Sequence, residues 1–218
     1  MNKPVVELHE VSKRIKKHVI LNNINLEIEA NKITTIYGAS GSGKSTLLNI
    51  IGLLDKPTSG HVKIFDHPAP RAGSIAARKL LNKKISYLFQ NFALINDQSI
   101  KKNLALAKVN AKESWNDFNQ RKKALLKTFN ITTPETTEVG SLSGGEQQRS
   151  ALARCLLKPC DLILCDEPTG SLDPANKASI FAELEYAKAI GKTILIVSHD
   201  PYIIARSDTK FDLAAIQS

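Results

Sequence analysis

The chain has 218 residues, 42% hydrophobic and 23% charged, which suits one α/β domain with its own core and leaves little room for a second. Its longest aliphatic runs, such as residues 162–165 and 194–197, have strand length, and a membrane span takes about 20 apolar residues, so no segment is expected to cross a bilayer. The formal charge of +9 is concentrated in residues 1–90, with 14 Lys/Arg against 6 Asp/Glu; lacking interleaved aromatic rings to stack on bases, this excess reads as solvated surface first, attraction to an anionic leaflet second and nucleic-acid binding last.

Residues 1–6 lack both a charged start and an apolar run of the secretory kind, so a cytoplasmic location is expected. Val5, Val6 and Leu8 suit a short strand, and residues 24–29 alternate with period two. Residues 33–37 are β-rich, and Gly38 to Gly43 turns the chain into a helix. That helix carries Leu47, Leu48, Ile50, Ile51, Leu53 and Leu54 around most of its circumference, which predicts burial on several sides. Turn chemistry at 55–60 ends it. Residues 85–89 read as a strand, and residues 99–129 as helical and polar on one side. A helix is expected from Ser143 to Leu157, stopped by Pro159, and a buried strand over 161–165. Asp173-Pro174 is a cap followed by proline at the first helical position, and Gly191 closes that helix, whose Ile180, Phe181, Leu184 and Ala187 share one face. Residues 192–197 form the next strand. Strands alternating with helices predict a mainly parallel sheet covered on both faces. Cys155, Cys160 and Cys165, spaced five apart, fit no common zinc pattern and are expected to be small buried hydrophobes.

Gly38-Ala39-Ser40-Gly41-Ser42-Gly43-Lys44-Ser45-Thr46 fits G-x-x-x-x-G-K-[ST] in the strand-to-helix context that this phosphate-binding loop requires. Its backbone N–H groups can wrap a phosphate, with the helix N-terminus adding partial positive charge. Lys44 supplies a full charge to the β/γ-phosphates, and Ser45 can reach Mg²⁺. Asp166-Glu167 leaves the carboxyl end of a buried strand, where ligands of parallel sheets collect. Asp166 is placed to hold Mg²⁺ through water, and Glu167 to orient or deprotonate an attacking water. In Leu142-Ser143-Gly144-Gly145-Glu146-Gln147-Gln148-Arg149, Ser143 and Glu146 have capping-box spacing. Two glycines in that first turn cost helix propensity and make sense where another group approaches the backbone closely. The chain thus has two helix starts suited to phosphate.

Over essentially its whole length the sequence resembles an ABC-transporter nucleotide-binding domain, on the strength of the loop at 38–46, Asp166-Glu167 and above all the signature at 142–149. The resemblance implies a RecA-like P-loop NTPase core of α/β class with an N-terminal antiparallel β portion. It implies one ATP-binding domain over 1–218, with a core of about 1–90 and 149–218 and a small helical subdomain of about 91–148. It further implies that Ser143, Gly144, Gly145 and Glu146 act in trans on the nucleotide of a second subunit. Gln90 resembles the glutamine that touches Mg²⁺ and senses the permease. Ser171-Leu172-Asp173 resembles the loop at the dimer contact, Asp173 foremost, and His199 the switch histidine that joins Glu167 and Lys44 in catalysis. Residues 52–60 and 166–173 resemble the lipoprotein-release and macrolide-export branch, and within it the small Gram-positive bacteriocin exporters. The family usually has an aromatic residue where Ile15 stands, so its stacking contact with adenine has no counterpart among Arg14, Ile15 and Lys16.

The expected function is that of an ATP- and Mg²⁺-dependent ATPase subunit. It forms a nucleotide-sandwich homodimer on the inner face of the plasma membrane and powers a separate permease, for export of a peptide, bacteriocin or lipophilic substrate. The alternative is an ATP-driven regulatory subunit of a membrane complex that moves no solute. A chromosome- or repair-type ATPase is excluded because only 51 residues separate Gln90 from Leu142, too few for a long coiled coil.

Overall fold

The computed structural model describes residues 3–109, 112–170 and 172–217. The chain begins with a long antiparallel hairpin, β1 (Pro4–Ile15) and β2 (His18–Glu29), whose tip register pairs Ile15 with His18. In β2 the expected alternation is present: Ile24, Leu26 and Ile28 are buried, while Asn25, Glu27 and Glu29 are exposed. β3 (Ile33–Tyr37) leads into α1 (Lys44–Ile51), and β4 (Ser59–Ile64) with β5 (His67–Pro68) completes an antiparallel sheet of order β2-β1-β4-β5.

Next come α2 (Ile75–Lys83), β6 (Ile85–Leu88), α3 (Ile100–Ala105), α4 (Trp115–Thr128) and a 3-10 turn at Val139–Ser141. The chain ends with α5 (Gly144–Leu157), β7 (Leu162–Asp166), α6 (Pro174–Ala189), β8 (Thr193–Val197), α7 (Pro201–Arg206) and β9 (Thr209–Asp212). The central sheet has order β6-β7-β8-β3-β9, and all its pairings are parallel.

Both faces of that sheet are covered, as predicted, and the pleat sorts the side chains. Ile163, Cys165, Ile194 and Ile196 join the core shared with α3 to α6. Their neighbours Leu162, Leu164, Leu195 and Val197 join the core shared with α1 and the antiparallel sheet. All eight are fully buried, and each of the seven aliphatic ones is worth about 1.5–3 kcal/mol. Strands buried on both faces read as unbroken apolar runs for this reason.

Several elements differ from the sequence reading. The helix expected over 99–129 is two helices, each opened by its own serine: Ser99 accepts from the N–H of Lys102, and Ser114 from that of Asp117. Two helices were not anticipated. α2 starts at Ser74, which accepts from the N–H of Ala77, and α7 starts at Asp200 with proline in its first turn. The edge strand β9 also carries too short a pattern to read. The three cysteines are buried and free; burial pushes the Cys155 thiol up to about 12 and holds Cys165 well above the ordinary thiol range, so both are inert.

Part of the positive charge is structural. Lys122 is buried against Glu135, and Lys13 Nζ lies 2.7 Å from Asp55 Oδ1. Phe92 and Leu94, on the turn after Gln90, pack half-buried against the helical core. Arg154 of α5 holds that turn by donating to the carbonyls of Ala93 and Phe92 at 2.7 and 2.9 Å. The exposed apolar residue there is Ile95.

Candidate functional site

The carboxyl ends of β3, β7 and β8 lie side by side, because β3 pairs with β8 and β8 with β7. Each delivers one part of the site. From β3, residues 38–43 form a loop that ends at Gly43, the N-cap of α1, with φ +100°. A side chain there would put its Cβ 2.9 Å from Ile20 O and Leu21 Cδ2, so glycine alone lets the loop lie against β2. Lys44, 7% exposed, donates from Nζ to the carbonyls of Gly38 and Ala39, both at 2.8 Å. The charged amine is thus curled back into the loop, and Ala39, Ser40 and Gly41 form its exposed rim. Thr46 lies in the first turn of α1. Ser42 Oγ is buried inside the loop without a hydrogen-bonding partner among the described residues. An orphaned hydroxyl beside a buried cation and bare helix N–H groups fits a phosphate, whose oxygens accept several hydrogen bonds at once.

β7 delivers Asp166 and Glu167. Ser45 Oγ donates to Asp166 Oδ1 at 3.0 Å, joining residues 121 apart in sequence. Burial raises the pKa of Asp166, and the charge of Glu167 adds to the rise, while the Ser45 hydrogen bond and Lys44 oppose it. Glu167 adopts φ +46°, and its N–H donates to Val197 O at 2.9 Å, so the sheet itself fixes a backbone angle that a non-glycine residue rarely takes. Its carboxylate accepts from Ser198 Oγ at 2.9 Å and lies 2.7 Å from His199 Nδ1. His199 is 68% exposed and Glu167 13%, so the ring stands at the mouth of the site with the carboxylate behind it. Ser198 was not anticipated, and its position between Val197 and His199 was the available signal. Gln90 is exposed on the turn after β6, which flanks β7 at the same sheet end.

No group of three His, Cys, Asp or Glu side chains suited to a metal stands among the described residues. A cation here would take hydroxyl and amide oxygens beside at most the two carboxylates Asp166 and Glu167. Ser45 with Asp166 forms such a hard-oxygen pair, which fits Mg²⁺.

The helix start at residue 143 is built as its spacing predicts. Ser143 Oγ accepts from the N–H of Glu146, and Glu146 accepts from the N–H of Ser143 at 3.0 Å, the reciprocal capping box, worth about 1 kcal/mol. Thr133 Oγ1 donates to Glu146 Oε1 at 2.5 Å, and this bond leads in holding the Glu146 carboxyl below its usual range. The approach that the two glycines imply comes at Gly145: a Cβ there would lie 2.3 Å from Asn176 Oδ1. Gly144 stays exposed and open. Asn176 Nδ2 in turn donates to Asp173 Oδ2 at 2.5 Å, and Asp173 caps α6. Ser171 lies outside the described residues. Ser143 and Glu146 bond to each other and Glu146 to Thr133, Gly144 and Gly145 face Leu172 and Asn176, and no hydrogen bond among the described residues joins 143–146 to residues 38–46.

Ile15 stands 50% exposed at the hairpin tip, beside residues 55–58, to which Lys13 and Arg14 are hydrogen-bonded. It offers an aliphatic surface and no ring.

A family profile described as ABC transporter matches residues 21–170. The macrolide export ATP-binding/permease protein MacB of Campylobacter jejuni subsp. jejuni is 36% identical over 203 residues, covering 93% of this chain and 32% of that protein. The chain thus spans about a third of the length of the curated relatives it matches. Among solved structures, the dimeric bacterial ABC transporter cassette MJ0796 superposes with TM-score 0.84 at 34% identity, covering 94% of each chain. A dimeric post-hydrolysis state of the same cassette, bound to ADP and Pi, superposes with TM-score 0.81 at 34% identity over 91% of this chain and 89% of that one.

Proposed function

This chain belongs to the ABC transporter family as one of its ATPase cassettes, and we propose that two copies close head to tail around two Mg-ATP molecules to power a membrane permease in export. The permease lies outside these residues: no helix among those described is long and apolar enough to cross a membrane. The basic first half of the chain suits a peripheral position on an anionic inner leaflet. The helical segment of about 91–148 serves as the subdomain that carries the signature and receives the permease near Gln90.

One observation carries this reading: the chain has two phosphate-suited helix starts that no hydrogen bond among the described residues joins, the loop at 38–46 and the turn opened by exposed Ser143 and Gly144. A second subunit turned about a two-fold axis would bring one of each together twice. In that arrangement Gly38 to Thr46 hold the phosphates, and Lys44 leaves the Gly38 and Ala39 carbonyls for the β/γ-oxygens. Ser45, Asp166 and Gln90 would hold Mg²⁺, which neutralises charge on the phosphates when bound. Glu167 takes the proton of the attacking water. His199, steadied on Glu167, holds the γ-phosphate at the mouth. The partner's signature turn adds N–H donors where negative charge develops.

Hydrolysis per subunit is therefore expected to fall on dilution through the dimer's dissociation range. A specific rate that stays constant down to concentrations where sizing finds only monomer overturns the shared-site reading.

The base site supplies a second expectation. With Ile15 in place of a ring, GTP should compete with ATP on nearly equal terms. Base–aromatic stacking is worth about 1–3 kcal/mol, so Ile15→Tyr should tighten ATP by up to roughly tenfold. Nucleotide competition measures both, and a strong ATP preference in the unaltered chain would hand base recognition to another group, His18 being adjacent.

A further inference from the structure

Five buried side-chain atoms among the described residues lack a hydrogen-bonding partner. Ser42 Oγ belongs to the phosphate loop. Two of the other four lie at the α5–α6 interface: Arg149 Nε, whose guanidinium already reaches α6 at Asn176, and Glu183 Oε2 on α6. Native interiors leave few such groups, so an unpaired guanidinium nitrogen and an unpaired carboxyl oxygen at one helix contact mark an interface short of its best-satisfied arrangement.

The groups are also chemically matched. Arg149 uses only one end of its guanidinium, NH1 donating to Asn176 Oδ1 at 3.1 Å, while its buried Nε is idle. Glu183 is 6% exposed and receives one long bond, from Ser179 Oγ to Oε1 at 3.3 Å. Among the described residues the charge acting on it is that of Arg149 from α5. Its own helix adds Ser179 and Tyr186, and the end of α4 adds uncharged Thr128 and Asn130, around a pocket of about 170 Å³. Asn176, the present partner of Arg149, is the residue against which Gly145 is pressed and which binds Asp173.

We propose that Arg149 and Glu183 are the halves of a latent ion pair that closes when the first turns of α5 are drawn onto a partner's nucleotide, making Glu183 a positioning residue for Ser143–Gly145. The proposal rests on the signature acting in trans. A charge-assisted bond made only in the closed state favours that state by its strength less the cost of ionising Glu183. Until then burial without a partner pushes the Glu183 carboxyl up to about 8 from its ordinary 4.5, so it is mostly protonated near neutrality. For an acid raised in the folded state, stability is greatest below its ordinary value and declines as pH rises towards the raised one.

The test uses the full chain with Glu183→Gln and Glu183→Asp. Without nucleotide, Glu183→Gln should melt with the unaltered chain near pH 5 and increasingly above it towards about pH 8. Parallel melting curves over that window overturn the latent pair. In saturating Mg-ATP at about pH 8, Glu183→Gln should lose roughly tenfold in kcat with KM for ATP nearly unchanged, and Glu183→Asp should recover part of the loss. An unchanged kcat beside an open melting gap overturns the positioning role and leaves a buried acid alone. If the rate proves independent of dilution, the trans reading fails and the docking step with it, a failure distinguished by the persisting melting gap.

Discussion

Glu167→Gln is expected to leave ATP binding intact, to lower hydrolysis by about 10²–10⁴-fold and to hold the protein as an ATP-bound dimer. The substitution preserves shape, and the backbone of residue 167 is fixed independently of its side chain by the N–H bond to Val197 O. An amide oxygen can still accept from Ser198 Oγ, as the carboxylate does at 2.9 Å. What disappears is the capacity to take a proton from water. Binding and closure then proceed and the step that reopens the dimer does not. Sizing in Mg-ATP and a single-turnover assay check both halves. Retention of more than about a tenth of the normal rate would be far outside a lost general base and would move that role elsewhere, with His199 the adjacent candidate.

Two inactive variants should restore activity when mixed. Lys44→Ala removes the amine that now bridges the carbonyls of Gly38 and Ala39 and that is to bind phosphate. A charge-assisted bond of about 1.5–3 kcal/mol corresponds to roughly 10- to 150-fold in ATP affinity. Ser143→Arg removes the cap, about 1 kcal/mol of helix stability, and places a long side chain on the exposed turn meant for the partner's nucleotide. Each variant alone should be nearly silent. In a mixed dimer the intact loop of one subunit meets the intact signature of the other, giving one complete site. Random assortment makes half the dimers mixed, so up to about a quarter of the normal rate should return. Mixing without recovery, in variants shown to dimerise, would mean that each chain completes its own site.

The features legible in the sequence are those made by neighbours in the chain. A capping box needs only residues three apart, so the start of α5 was fixed by Ser143 and Glu146 before any packing was known. The turn from β3 into α1 was equally local, as were the apolar runs of β7 and β8, whose burial on both faces suppresses alternation. Elements with weaker local marks were lost. α2, α7 and β9 are short, and the break between α3 and α4 lies within a stretch of uniformly helical residues. Strand order was beyond local reading too, and it assembles the site: β6-β7-β8-β3-β9 brings Ser45 to Asp166 and Glu167 to Ser198 and His199. Burial of individual side chains followed the same rule. Phe92 and Leu94 are half-buried because Arg154, some 60 residues on, holds their turn against the core. Glu183 is buried among residues far from it in sequence, Thr128 and Asn130 included, which no local pattern marks. Local hydrogen bonding decided where helices begin and which residues could bind phosphate. Only long-range packing, which sets each group's neighbours and its access to water, decided which of them meet and which are left unpaired.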